Sequence, residues 1–482
     1  MEKNRELIKG NLTEEDILKK YNYKQELNRN LKFFSSFAVA FSFISLTTGI
    51  FTNFQFALST AGPAFILSWP ITAVGQFLVC LIFAELSGAI PVSGYSYQWI
   101  KRLSTPFMSW ITGWICFLYL VLLPTAIDVG LAPIIESLLG IKVTNGQTTA
   151  IVIGILVIQA LLNIVGVKLC SIINNAAVFT ESFGIIILTI VLFIAAMKNG
   201  VHASMIINTG SAPKGTSYIK SFIMSMLMGS FTLVGFESAA NLSEETINAH
   251  KTVPKAIITS MLLAGVFGML FLISAVFSIG NLNKVLASNN ALPYVIQSNL
   301  GTVIGKLFLV MISVSIFACG LVVMTSGSRL IYAMSRDNAF FASEVFKKIS
   351  PKTDSPVLAT VLILILSIIT ALFSNSLTTL VGVTSVLPAL IYLITIVCYA
   401  LVRKKIKVKD KCFNLGKAAK PVFIGSIVWL IFELGILTLP HDYHMIALLT
   451  IILVILGIVL YKLYFENKIL NENKEDKVEM IG

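Results

Sequence analysis

What most constrains this chain is a succession of apolar runs, each about as long as a bilayer is thick. A helix crossing the hydrocarbon needs about 20 predominantly apolar residues. About twelve such runs follow one another, over 33–58, 63–89, 106–126, 147–166, 172–197, 218–243, 254–279, 303–333, 355–373, 377–402, 421–440 and 444–465. Lipid cannot satisfy backbone N–H and C=O groups, and no alternating barrel-type strands occur, so the runs read as helices and the expected fold is an all-α integral membrane protein. Charged residues make up 12% of the 482, half the roughly 25% of soluble domains, too few to solvate the surface of a water-soluble enzyme. The polar ends, 1–32 and 466–482, are too short to bury a core. Within the first, Leu12–Leu27, with Thr13 ahead of Glu14, Glu15 and Asp16, reads as a short capped helix on the inner membrane surface.

The formal charge of +12 comes from Lys and Arg placed in short loops. That placement reads as membrane topology and not as a nucleic-acid-binding face. With an even number of spans both termini share a side, and 30 of the 36 basic residues fall there. Positive charge marks the cytoplasmic side, so both termini are expected in the cytoplasm. The run Arg403-Lys404-Lys405-Ile406-Lys407 belongs to this pattern. The first 30 residues hold no apolar core of a cleavable signal peptide. The six cysteines are scattered without metal-ligand spacing and none of the four histidines has it, so reduced thiols and no metal site are expected. No phosphate-binding G-x-x-x-x-G-K-[ST] motif occurs, so any pumping must draw on an ion gradient or on exchange. No nucleophile, base and metal ligands converge as a membrane enzyme would need, and neither charge rings nor a filter-like loop suggest a channel.

Two runs carry polar interruptions. The first contains Ser45-Leu46-Thr47-Thr48-Gly49-Ile50, and the sixth contains Gly229-Ser230-Phe231-Thr232-Leu233-Val234-Gly235-Phe236-Glu237. Transporters break helices at corresponding positions of two repeats to expose backbone groups near the midplane. Small polar residues also serve close helix packing, and composition alone leaves both readings open.

Four segments in order add specificity. They are Phe41–Phe51, Ala84–Gly94 with Trp99 and Gly113-Trp114, Gly235–Thr246 with Pro254, and Ser328–Asp337. On these segments the chain resembles the amino acid–polyamine–organocation superfamily of transporters, in the amino acid/choline branch that includes GABA permeases. The resemblance implies a core of two inverted five-helix repeats, 33–197 and 218–402. A basic loop at 403–420, two peripheral helices at 421–465 and a tail at 466–482 would follow. It implies a secondary active transporter of amino acids or GABA-like amino compounds, working by alternating access with proton coupling or exchange and without a cofactor. A choline- or polyamine-type organocation carrier is the alternative, and a channel or receptor the competing class. Departures fall near the implied site: Tyr95 stands where the branch usually has glycine, Glu237 and Asn241 where it often has Asp and His, and Thr47 at the first glycine of Gly-Ser-Gly.

By position, the resemblance assigns the amides of Thr48, Gly49 and Ile50 to a substrate carboxylate, which a helix N-terminus favours. It assigns the carbonyls of Ser45, Phe231 and Val234 to an ammonium, with the Phe231 ring closing over substrate and Gly235 within the break. Glu237, a carboxylate inside a broken span, is a functional candidate by its cost alone; bracing of the break or proton transfer is the favoured role. Glu181 occupies a position where some proton-coupled members carry Lys, and an acid there is expected to titrate and couple proton movement to transport. The chief competing reading pairs Glu181 with Asn174 or Asn175. Glu85 reads as a solvated inner-gate residue, and Arg329 or Arg336 as a gate partner for Glu85, Glu244 or Glu245. Sodium, with a hydroxyl from Ser313 or Ser315, remains an alternative coupling ion to H+. Asp128, between Pro124 and Pro133, reads as solvated in an outer vestibule. Membrane lipid and a small amino-bearing solute are the expected partners; nucleic acid is not.

Overall fold

A computed structural model describes residues 29–141, 144–200, 203–210, 212, 215–288, 290–373, 376–405 and 412–469. The short capped helix expected at 12–27 lies outside them. Among the described residues every regular element is helical, with two isolated bridges, Leu31–Thr246 and Ser350–Ser355.

Among the described residues, ten helices are long and apolar enough to cross a membrane. A shorter ninth span, Val357–Phe373, and a broken sixth, Thr216–Ser225 continued by Leu227–Thr232, complete the set of twelve expected from hydropathy. The first span is Phe33–Ile44 followed by Leu46–Ala61; the second is Pro63–Ala89, the third Pro106–Leu139, and the fifth Val167–Asn199. The eighth is Thr302–Arg336, the tenth Leu377–Val402, the eleventh Gly416–Thr438 and the twelfth His441–Ile469. Side chains facing outward, such as Val310, Val314, Ile451 and Ile455, are apolar, while the carboxylates of Glu85, Asp128, Glu181, Glu237 and Glu433 are buried. That is the arrangement hydrocarbon demands.

The third span runs 13 residues beyond the apolar stretch expected to end at 126, because it continues as helix through Pro124 and Pro133. In a membrane helix proline is tolerated where neighbouring helices pack against the bend. Beside Pro124, Ser367 of the ninth span donates to the Val121 carbonyl (3.0 Å) and Thr125 donates to the Ser367 carbonyl (2.8 Å). This extension buries Asp128 completely, with Gln159 donating to its Oδ1 (3.0 Å). The expected vestibule position for Asp128 is therefore corrected.

Both described ends meet one face of the bundle. Asn30 and Leu31 donate their amides to the Glu245 carbonyl, Ile247 returns its amide to Leu31, and Phe465 packs on Trp110 at the start of the third span. A cavity of about 280 Å³ lies toward the other face, lined by Phe51, Asn53, Gln55, Gly130, Asn290 and Thr378 among others.

Candidate substrate site at two broken spans

The first span breaks at one residue. Ser45 has φ +35°, ψ +92°, and the helix resumes at Leu46. Its left-handed backbone is costly for a residue with a Cβ, and side chains stabilise it. Ser45 Oγ accepts from Thr48 N (3.2 Å) and Thr48 Oγ1 (2.7 Å). Glu181, from the fifth span, caps the new helix from outside: its Oε1 accepts from Thr47 N (3.1 Å), Thr47 Oγ1 (2.8 Å) and Ser45 Oγ (3.2 Å). A carboxylate at a helix N-terminus meets both its free amides and its positive dipole end. The reading that pairs Glu181 with Asn174 or Asn175 is corrected: Asn174 bonds through neither amide atom and Asn175 donates to Ser35.

Because only one residue leaves the helix, few main-chain groups are freed. Thr48 N goes to Ser45 Oγ, and Gly49 N goes to the Ser45 carbonyl (3.1 Å). Ile50 lies where the helix has resumed. In this conformation the groups expected at Ser45, Thr48 and Gly49 are bonded to one another.

The sixth span unwinds further. Helix ends at Thr232 and restarts at Ser238. Gly235 takes φ +83°, a region glycine enters freely. Its amide, the regular partner of the Phe231 carbonyl, is diverted to the Tyr392 hydroxyl (2.9 Å). Ser238 N, the regular partner of Val234, goes instead to the Gly235 carbonyl (3.0 Å). Among the described residues no donor reaches the Phe231 or Val234 carbonyl. Tyr392 passes the bond on, its hydroxyl donating to Glu237 Oε2 (2.6 Å). Glu237 thus braces the unwound segment through Tyr392, while among the described residues nothing completes a hydrogen bond to Glu237 Oε1 or to either amide atom of Asn241.

The two breaks touch. A Cβ on Gly49 would lie 2.0 Å from Thr232 Oγ1, and one on Gly235 would lie 1.9 Å from the Phe43 ring. Phe231 is buried beside them. Next to Glu181 is a small cavity of about 10 Å³, also lined by Thr47 and Ser315, at the threshold for one water. Among the described residues the Ser315 hydroxyl has no partner, whereas Ser313 donates to the Leu309 carbonyl (2.8 Å).

Below the breaks, ionic contacts join the face that holds both described ends. Arg329 pairs with Glu245 (3.2 Å) and Arg336 with Glu244 (3.4 Å). Glu244 and Ser93 exchange two hydrogen bonds at 3.1 Å, and Asp337 takes Lys101 (3.0 Å) and Gln98 (2.8 Å). Glu85 corrects the sequence reading. It is fully buried, not solvated, and its partner is Arg403 (2.6 Å), with Tyr399 and the Leu415 amide completing its shell. That hydrogen bond to Glu85 holds the Arg403 guanidinium above its ordinary pKa. Tyr95, at the branch's usual glycine, has φ +61°, so the conformation glycine serves is retained here at a backbone cost.

Sequence reasoning missed Tyr392, Arg403 as the partner of Glu85, and Glu433. Tyr392 and Arg403 gave no signal, since their partners lie 155 and 318 residues away. Glu433 did give one, a lone carboxylate in an apolar helix.

A many-helix membrane bundle with two adjoining interrupted spans defines a solute carrier, and comparison with known proteins gives the class its name. A family model described as amino acid permease matches residues 31–461; the chain belongs to that family. It is similar to the amino-acid permease BAT1 of Arabidopsis thaliana, 28% identical with 89% of each chain covered. A BAT1 homolog of Oryza sativa subsp. japonica is 29% identical with 88% of each covered. An uncharacterized amino-acid permease of Schizosaccharomyces pombe, C74.04, is 25% identical over 87% of this chain and 78% of its own.

Proposed function

We propose that this amino acid transporter is a secondary carrier of amino acids or GABA-like amino compounds in the plasma membrane, with both termini cytoplasmic. It works by alternating access around the two breaks. The observation that carries the reading is the unwound stretch Leu233–Glu237, where diverted amides leave the Phe231 and Val234 carbonyls unbonded beside the first-span break. Those carbonyls suit an ammonium. The first-span helix start at Leu46–Ile50 suits a carboxylate once Ser45 yields its internal bonds. Spans one to five and six to ten form the inverted halves, so the breaks occupy matching positions in each. The ion pairs of Arg329 and Arg336 close the cytoplasmic route, and the 280 Å³ cavity is the outer approach. Glu181 takes and releases the coupling proton, and in doing so loosens or restores the cap on Thr47.

Purified protein in liposomes, offered a panel of amino acids, GABA, choline and polyamines, tests this. Expected are saturable uptake of an amino acid, acceleration by the same solute on the trans side, and stimulation by an inward proton gradient. Unsaturable ion conductance would instead mark a channel. If Gly49→Leu leaves affinity and rate unchanged, the first-span site is wrong.

A further inference from the structure

Glu433, in the eleventh span, belongs to none of the machinery above. It is 1% exposed. Its hydrogen bonds come from one group: Gln76 of the second span donates Nε2 to Oε1 (2.8 Å) and to Oε2 (2.9 Å). The Gln76 oxygen is itself buried and without a donor. The Ser230 hydroxyl of the sixth span faces the carboxyl without completing a bond. An ionised carboxylate with one neutral amide as its whole shell is badly under-solvated in a membrane.

Among the described residues no cation pairs with Glu433. The eleventh span packs on spans two, ten and twelve and on the start of span six. Span two brings Gln76 and Cys80, with Glu85 committed to Arg403; span ten brings Tyr392 and Tyr399, committed to Glu237 and Glu85. At the far end Lys220 pairs with Asp442 (3.3 Å), Tyr443 donates to the Met224 carbonyl (3.2 Å), and His444 bonds the Leu439 carbonyl (3.2 Å). His441 stacks on His444 there, and Lys417 and Lys420 sit at the opposite end of the helix. Of all these groups only Gln76 and Ser230 bear on Glu433.

Adding one proton resolves both deficits. The acid O–H supplies the donor that the Gln76 oxygen lacks, and the Gln76 N–H keeps the other carboxyl oxygen. The result is a paired acid–amide contact with no net charge. Asp128 and Gln159 make a similar pair, but that amide is also held by the Phe317 carbonyl (3.2 Å). Gln76 bonds Glu433 alone.

We propose that Glu433 is a proton-binding site that latches the peripheral eleventh span to the second span: protonated, it closes the pair with Gln76, and on losing the proton to water it lets the two helices part. The chemistry of the site stands without the carrier reading. Its consequence for function rests on that reading, since a latch on the second span would set how readily the transport core moves.

Infrared spectra of the purified full chain at neutral pH test it. The protonated-carboxyl C=O band of wild type should lose the intensity of one carboxyl in Glu433→Gln. It should persist at higher frequency in Gln76→Leu, where the acid remains but its partner is gone, and stay unchanged in Glu344→Gln, which alters an exposed ion-paired carboxylate. In parallel, the wild-type thermal midpoint should fall as pH rises through release of the proton, and Glu433→Gln should lack that part of the fall. A band identical in wild type and Glu433→Gln overturns the proposal, as does an identical pH dependence of their midpoints. Failure of the carrier reading has a separate signature, the absence of saturable amino-acid uptake by wild type in liposomes.

Discussion

The two interruptions solve one problem in opposite ways. The first span leaves the helix for a single residue, and a side chain from another helix closes the gap: Glu181 reaches in and takes the Thr47 amide. The sixth span leaves it for five residues and keeps two carbonyls unbonded, while the Gly235 amide is tied through Tyr392 to its own chain at Glu237. A break capped by a titratable group from elsewhere can change with that group's charge. A break braced by its own carboxylate through a tyrosine is built to hold still. The first is suited to responding to an ion, the second to presenting a fixed acceptor surface.

The largest expected effect falls on the rigid member. Gly235→Leu combines a left-handed backbone, costing about 1–2 kcal/mol for a residue with a Cβ, with overpacking against Phe43 of roughly 1–3 kcal/mol. Liposome uptake should drop at least about tenfold, which corresponds to 1.4 kcal/mol. Near-normal uptake would mean that the sixth-span break is dispensable. Next comes Tyr392→Phe, which leaves the Gly235 amide and Glu237 without their shared hydroxyl. An unsatisfied buried donor costs about 1–3 kcal/mol, read as a lower thermal midpoint and a higher KM, with pH dependence kept.

Glu181→Gln separates the two breaks most sharply. The glutamine oxygen can still accept from Thr47, so folding should survive while the response of uptake to pH flattens. An unchanged pH profile would remove the proton role from this residue. Thr47→Val deletes the hydroxyl's bond to Glu181 (2.8 Å) and its contact with Ser45 Oγ (3.1 Å) while keeping the amide bond to Glu181, with an expected cost of about 1 kcal/mol and a modest shift of the same pH profile. The smallest effect belongs to Glu344→Gln, an exposed i,i+3 pair with Lys347, where uptake and midpoint should match wild type.

Much of this was legible in the residues alone. Twelve spans followed from apolar run length. Gly, Ser and Thr inside apolar runs marked the two places to look, and the family resemblance of the four ordered segments, not composition, favoured broken helices over close packing there. The extent of each interruption was not legible. Ser45 and Gly235 sit in similarly polar stretches, and the difference lies in Glu181 and Tyr392, contributed by other helices. The third span was expected to end at 126, yet it stays helical through Pro133 to Leu139; contacts with another helix, such as Ser367 of the ninth span on the Val121 carbonyl, are invisible in the segment read alone. Glu85 was read as solvated because a carboxylate at a helix end beside a loop is usually wet; Arg403 and the Leu415 amide, more than 300 residues on, enclose it.

The contact between Gly49 and Thr232 also bears on how this family can drift. Both positions draw on one small volume, so a methyl gained at one must be surrendered at the other. Across relatives the two sites should therefore trade size reciprocally, large with small and never large with large. A paired swap such as Gly49→Ala with Thr232→Gly should be better tolerated than Gly49→Ala by itself.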